Sequence, residues 1–459
     1  MNAGRAPDSP PPRPNQWALL RQRRFAPYFC TQFLGAANDN LIKFALTVLV
    51  AYRLQLGWLP PAQAGLAIGA LFIAPFVLFS ATSGQLADKF DKAQLIRALK
   101  AFEVAIALAA AWGFVHTNVP LLLACIFLMG LQSTLYGPVK YAYLPQALSA
   151  RELTGGNGMV EMGTFVAILL GNVAGGLLIG LPEGGSSAVA VACVVLAAAG
   201  WAAALAVPAS PACDAGLRIR WNPVAETVRN LRLAARDALV LRTLFGISWM
   251  WFYGAVFLAL FPAFARDVLH GDERVASMLL VVFSVGVGAG ALACERLSRG
   301  RIEPGLVPIG ALGMSVFAVD LYFATTALVA PVTPNGLLGL GAFLARPEHW
   351  RVVADLALLS ASAGLYSVPM YALIQSRTPA SHRARIIAAN NILNALWMIA
   401  SALGSGALLG AGLTLPQLFG VLGGLNAAVA LAFFALAPLY PQRLRALWRR
   451  GPEDPVSGT

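Results

Sequence analysis

Long apolar runs recur along this chain, broken by short polar connections. A membrane-spanning helix needs about 20 mainly apolar residues. By that measure twelve stretches qualify, at 26–52, 63–83, 94–115, 119–141, 155–180, 186–207, 242–265, 275–294, 304–329, 354–375, 384–411 and 415–439. Only helices and closed barrels satisfy every backbone polar group inside hydrocarbon. The runs are continuous rather than alternating, so helices are predicted. The predicted fold class is an all-α membrane protein with twelve transmembrane helices.

The connections differ in charge. Arg21, Arg23 and Arg24 precede the first span, Lys89 and Lys92 follow the second, and Arg218, Arg220, Arg229, Arg232 and Arg236 lie between the sixth and seventh. The intervening connections hold Arg53, Arg266, Arg274, Arg346 and Arg351. Basic residues collect on the cytoplasmic side, so both termini are predicted cytoplasmic and the span count even. The chain divides into a disordered basic tail (1–24), a first bundle (25–207), a cytoplasmic linker (208–241), a second bundle (242–440) and a short tail (441–459). Within the linker, Val224–Leu241 has amphipathic spacing, which suits the inner leaflet as well as a solvated helix. The outward connection 330–353 is Gly-rich and apolar, a composition for an interfacial or re-entrant segment. The first span is too long, and with Asn38, Asp39, Asn40 and Lys43 too polar, for a signal peptide.

Composition sharpens this picture. Apolar residues make up 58% and charged residues 12% of the chain, against about 25% charged in soluble domains. Disorder is excluded, and so is a string of soluble domains. The formal charge of +12 would suggest nucleic acid in a soluble protein. Here it suits the anionic face of a membrane, and no nucleic-acid partner is predicted. Cys30, Cys125, Cys193, Cys213 and Cys294 form no metal or disulfide spacing, and the four histidines are scattered. No metal or cofactor is predicted. One large acyltransferase group carries H-x4-D, but the residues five beyond each histidine are Leu121, Val275, Ala354 and Ile387. No GxxxxGK[ST] loop for a nucleotide occurs either. A transporter, not an enzyme, is the expectation.

The halves repeat. Tyr136-Gly-Pro-Val-Lys-Tyr141 ends span four, and Tyr366-Ser-Val-Pro-Met-Tyr371 ends span ten, at an offset of 230 residues. Asn157 and Glu161 open span five as Asn390 and Asn394 open span eleven, at offset 233. Six spans per repeat make the halves parallel, related by an axis along the membrane normal, with a substrate site between them. Gly84-Gln-Leu-Ala-Asp88-Lys89-Phe-Asp91-Lys92 resembles the signature loop of the major facilitator superfamily, with Asp91 where that family prefers Gly. Glu295-Arg-Leu-Ser-Arg-Gly-Arg301 is its degenerate counterpart after span eight. The resemblance implies two pseudo-symmetric six-helix bundles, and a gating role for Gly84, Asp88, Lys89 and Lys92.

A narrower resemblance covers most of the chain. Gln32-Phe-Leu-Gly-Ala-Ala-Asn-Asp39-Asn40, Tyr136-Gly-Pro-Val-Lys140-Tyr141 and Asn157-Gly-Met-Val-Glu161, with Ile168-Leu-Leu-Gly171-Asn-Val-Ala-Gly-Gly176, are similar to bacterial lysophospholipid transporters. The similarity implies a flippase for lysophospholipids in the bacterial inner membrane, serving a cytoplasmic-side acyltransferase. That family carries an arginine in span seven; Trp249–Leu260 here has no basic residue.

Ionisable groups inside spans mark function by default. Asp39 and Lys43, at i and i+4, share a helix face and read as a headgroup or gating pair, or as a self-neutralised structural pair. Asn40 adds to that polar patch. Lys140 suits a phosphate or Glu161 as partner, or snorkels to the interface; Glu161 suits a relay or a helix N-terminal charge. Asp320 has no evident partner. Tyr366, Tyr371, Asn390 and Asn394 form a neutral polar site in the second half, or polar glue between helices. Gly171, Gly175, Gly176, Gly404 and Gly406 read as close-packing surfaces. A zwitterionic headgroup needs both signs of charge, which Asp39, Glu161, Lys43 and Lys140 supply. The same residues would serve a proton-coupled exporter of hydrophobic or amphiphilic compounds.

Overall fold

The computed structural model describes residues 15–50, 54, 61–326, 328 and 337–449. A short 3₁₀ turn, Gln16–Arg21, leads into α1 (Ala26–Val48), α2 (Pro61–Lys89), α3 (Lys92–Val115), α4 (Val119–Ala147), α5 (Leu153–Gly180) and α6 (Gly185–Leu205). The connection holds α7 (Pro223–Ala234). The second half comprises α8 (Ala238–Ala263), α9 (Glu273–Ser298), α10 (Leu306–Thr326), the short α11 (Leu340–Leu344), α12 (Pro347–Arg377), α13 (Arg383–Gly410) and α14 (Leu415–Leu436), before a terminal α15 (Leu439–Arg449). Side chains fix the starts. Asn118, Asn222, Asp91, Asp237, Asp272 and Thr414 each accept from a backbone N–H of the first turn, satisfying donors that have no partner within the helix. Among the described residues there is no strand, only an isolated bridge between Gly271 and Leu338.

Eleven helices among the described residues, α2–α6, α8–α10 and α12–α14, are long and apolar enough to cross a membrane. The expected twelfth, α1, has 23 residues, a length of about 35 Å. Asn38, Asp39, Asn40 and Lys43 dilute its apolar character, so the count by length and composition is eleven. Three further expectations change. The tail drawn as free over 1–24 is ordered from Asn15, with Gln16 and Leu19 buried. The linker helix stops at Ala234, and Asp237 then starts a new helix. The connection expected over 330–353 gives α11 and the first two turns of α12, while residues 330–336 lie outside the described residues.

The helices pair twice in one pattern. In the first half α1 packs on α5, α2 on α4, and α3 on α4 and α6. In the second, α8 packs on α13, α9 on α12, and α10 on α12 and α14. Leaving aside α7 and α11, each pairing recurs six helices later without inversion, which is a parallel repeat. Across the halves, α2 meets α13 and α5 meets α9, two contacts that exchange under the same operation.

The face that carries residues 15 and 449 is called here the terminal face. There the halves are pressed together. A methyl on Gly84 of α2 would lie 2.7 Å from Ala388 Cβ and 2.8 Å from Arg385 Cα, so only glycine permits this approach. Toward the far face the α13 surface is bare. Leu403 is 70% exposed, and open space surrounds Gly404 and Gly406. These two glycines are therefore not packing surfaces. Gly171 and Gly175 are: a methyl there would meet the Ala37 and Leu41 carbonyls of α1.

Candidate functional site between the halves

The site is layered from the terminal face inward. The last turn of α2 carries Asp88, fully buried; the signature residues Gly84–Lys89 are thus helical rather than loop. Its carboxylate accepts from the Ala384 backbone N–H at 3.1 Å and from Arg385 Nε at 3.0 Å. Both donors begin α13, whose dipole favours a negative charge. Arg385 also donates to Asp214 at 3.4 Å and to the Ser381 carbonyl at 2.7 Å. Lys92 is buried against the linker and donates to the Pro211 carbonyl at 3.4 Å. Lys89 lies at the surface end of α2 near the Phe90 ring. Asp91, where the signature prefers glycine, caps α3 and accepts from the Ser210 N–H at 2.9 Å.

About 9 Å further in, at 1.5 Å rise per residue, Tyr141 of α4 stacks on Tyr371 of α12. Their centroids are 4.6 Å apart and their planes differ by 2°. These tyrosines are related by the internal repeat, and residues on a two-fold axis meet their own counterparts. The neighbours repeat as well. Tyr141 donates to Glu161 at 2.9 Å, and Trp251 Nε1 lies 3.2 Å from both the Tyr371 hydroxyl and Asn394, the residue equivalent to Glu161. Below the stack, Asn157 Nδ2 donates to Gln375 Oε1 at 2.6 Å, and Gln375 Nε2 donates to the Tyr141 carbonyl at 3.1 Å. This layer joins the two halves. Lys140, half-buried, holds Nζ 4.9 Å from the Tyr141 ring. No ion pair joins it to Glu161 among the described residues.

Deeper still lies Asp39. Its Oδ2 accepts from Ser133 at 2.6 Å, and its buried Oδ1 has no partner among the described residues. The expected Asp39–Lys43 pair is not formed. Lys43 instead sits 4.0 Å from the centre of the Phe72 ring. Asn40 donates to Ala36 of its own helix at 2.8 Å. On the opposite wall Ser248 lies 2.7 Å from the Asn394 amide, and Trp251 Nε1 donates to Tyr371 at 3.2 Å. Asn394, oriented to suit its neighbours, accepts from Asn390 and from Trp251, each at 3.2 Å. Tyr366 donates to the Gly246 carbonyl at 3.1 Å and so ties α12 to α8. Trp249, Phe252 and Trp397 pack on one another. One wall is charged and the other is aromatic and neutral.

Sequence reasoning passed over one group. Lys100 and Glu103 of α3 form an ion pair of 2.6 Å at 2% and 1% exposure. Gln132 also donates to Glu103 at 3.2 Å, and Asn38, next to Asp39, does so at 3.5 Å. The signal was an oppositely charged i, i+3 pair inside an apolar stretch. Asp320 does have a partner, Arg351, at 2.5 Å, on the second half's exposed side.

A model of the Major Facilitator Superfamily matches residues 28–402. The chain belongs to that superfamily. Among curated members, the lysophospholipid transporter LplT of Serratia proteamaculans is 28% identical over 374 residues, 80% of this chain and 83% of its own. LplT of Yersinia enterocolitica is 28% identical over 78% of this chain and 80% of its own. Solved structures of the superfamily share the fold. The E. coli fucose:proton symporter FucP is 14% identical and matches 91% of this chain and 98% of its own, with a TM-score of 0.65. A bacterial homologue of the iron transporter ferroportin, in an outward-facing state, is 15% identical, with a TM-score of 0.62 over 91% and 99% of the chains. This superfamily is one of transporters, and the wall-to-wall site described above lies where the halves of such a transporter meet.

Proposed function

We propose that this protein carries lysophospholipids across the bacterial inner membrane by alternating access, with both termini in the cytoplasm. The terminal face is then the cytoplasmic one, and the structure is an outward-facing state. The observation that carries the reading is the asymmetry of the site. Lys140 offers a cation for a phosphate, and Asp39 keeps a carboxylate oxygen unpaired for an ammonium. The second half presents Trp251, Phe252 and Trp397, suited to an acyl chain and a glycerol backbone. A small hydrophilic solute would gain little from that wall. The names of the curated relatives point the same way. Delivery to the inner leaflet would supply a cytoplasmic-side acyltransferase, the partner this reading implies.

Purified protein in liposomes, with fluorescent lysophosphatidylethanolamine followed between leaflets, tests it. Wild type is expected to accelerate the transfer, Asp39→Asn to lose most of it, and Lys140→Ala to lose it for zwitterionic and anionic lysolipids alike. If wild type moves no lysolipid but releases a hydrophobic cation in exchange for protons, the exporter reading replaces this one.

A further inference from the structure

The gate at Asp88 has a second-half equivalent that lacks an arginine. Aligning Gly84-Gln-Leu-Ala-Asp88 with Ala291-Leu-Ala-Cys-Glu295 puts Glu295 of α9 where Asp88 stands in α2. By the pseudo-symmetry, Glu295 should hold the start of α5 as Asp88 holds the start of α13. The start of α5 is Leu153-Thr-Gly-Gly-Asn-Gly158, with no basic side chain to offer. Glu295 is buried all the same, at 6% exposure. Its partner comes from outside both bundles. The backbone N–H of Gln16 donates to Glu295 Oε2 at 3.0 Å, and Gln16 Nε2 donates to the Leu292 carbonyl of α9 at 3.1 Å.

The geometry assigns the segment Asn15–Arg24 as a second latch of the gate, a strap that hooks the first half onto α9 and holds the terminal face shut. Its other end is anchored in the first half. Arg24 pairs with Glu152 at 2.6 Å and donates to the Ala147 carbonyl at 2.7 Å, and Tyr143 donates to the Arg24 carbonyl at 2.8 Å. Partial burial works against the charge on Glu152. Hydrogen bonds from the Ser149 N–H and hydroxyl and from Arg24 outweigh it and hold that carboxyl below its ordinary value. Between anchor and hook, Leu19 is buried at 2% exposure. The glycines of α5 make the arrangement possible: a methyl on Gly158 would lie 2.6 Å from the Ala291 carbonyl oxygen and would push α9 off. The two latches share a plan. At Asp88 the linker also straps the gate, with Cys213 and Asp214 N–H groups donating to the Asp88 carbonyl at 3.0 and 2.9 Å. In each latch a segment outside both bundles bonds to the acidic residue at the end of a helix, through the main-chain carbonyl at Asp88, whose carboxylate α13 holds, and through the carboxylate at Glu295.

The strap must release Glu295 and Leu292 whenever the terminal face opens, because α5 and α9 then part. It rests on alternating access and not on the identity of the substrate, so a failed lysolipid assay leaves it untouched. Gln16→Pro is a narrow perturbation. Gln16 opens the 3₁₀ turn, where proline fits, and Asn15 before it is already extended, as a residue preceding proline should be. The substitution removes both donors and leaves the chain path intact. Losing one hydrogen bond to a buried carboxylate and one to a backbone carbonyl should raise the population open at the terminal face by about tenfold or more. Hydrogen exchange of the full-length protein in nanodiscs reads this directly. Faster exchange is expected in the terminal-face halves of α5 and α9, with slower exchange in the far-face halves of α2 and α13. A general loss of stability would speed both ends and would overturn the latch, as would exchange identical to wild type. Glu295→Gln, which keeps an acceptor and removes the charge, should fall between the two. If Gln16→Pro does not fold, Glu295→Gln with wild-type exchange at both ends refutes the proposal by itself.

Discussion

The Lys100–Glu103 pair offers a quantitative check on how this bundle holds Asp39 in place. Both side chains are buried, and Glu103 accepts from Asn38 of α1 and from Gln132 of α4. Replacing Glu103 by Leu keeps the volume and strands an ammonium in the bundle. Removing one partner of a buried ion pair costs about 3–5 kcal/mol. Lys100→Met leaves a carboxylate that still accepts from Gln132, so the lower end of that range, about 3 kcal/mol, is expected. The double variant removes both charges. What remains is the Asn38 donor without its acceptor, at about 1–3 kcal/mol for the orphaned group, while Gln132 keeps the Leu99 carbonyl. Exchanging a buried pair for apolar groups offsets part of this. The double variant should therefore be more stable than either single, with a coupling energy of about 3 kcal/mol or more, well above the ~0.5 kcal/mol scatter of independent sites. Unfolding in mixed micelles, followed by helical ellipticity for the four proteins, measures it. Additive single effects would refute the reasoning: Lys100 and Glu103 would then be separately solvated, and their pairing would contribute nothing to the placement of α1.

Three more expectations follow from the site. Asp88→Asn removes a charge-assisted bond worth about 1.5–3 kcal/mol; spin labels at Ala150 and Ala380, in a background without native cysteines, should show a larger share of molecules parted at the terminal face, and an unchanged distance distribution would deny Asp88 a role in closure. Tyr141→Phe keeps the stack on Tyr371 and loses the bond to Glu161, so stability should fall by about 1 kcal/mol, while Tyr141→Ala also loses about 0.5–1.5 kcal/mol of stacking beyond its area; equal losses in the two variants would mean that the stack contributes nothing. Ser133→Ala removes a hydrogen bond to Asp39, and lysolipid transfer should weaken severalfold with folding retained; wild-type transfer would show that Asp39 is positioned without Ser133.

The spans were legible because hydrocarbon imposes one simple requirement, continuous apolar length, that a sequence displays directly. The observed helices begin and end within a few residues of the apolar runs, except where α2, α4 and α12 continue past the hydrocarbon on capped or Pro-containing turns. The first span forms a helix as expected, and its polar stretch alone keeps it from the composition of the other spans. The repeat was legible too, since Tyr141 and Tyr371 lie at equivalent positions in sequence, and their stacking follows from the two-fold axis.

Partners were not legible, because side-chain pairing between helices depends on rotation and depth, which apolar length leaves free. Asp39 and Lys43 share a face of α1, yet the neighbouring helices offered each something nearer. Ser133 of α4 took Asp39, and the Phe72 ring of α2 took Lys43. Lys100 and Glu103 had the right spacing in sequence, and only the fold revealed that no solvent reaches them. The arginine for Asp88 comes from 297 residues away, and the donor for Glu295 from 279 residues away, in a segment that composition alone reads as a loose tail. Apolar length determines that the chain crosses a membrane many times. Which polar groups meet is decided when two parallel bundles close on one face, since desolvation there leaves each buried charge only the partners that the closure brings.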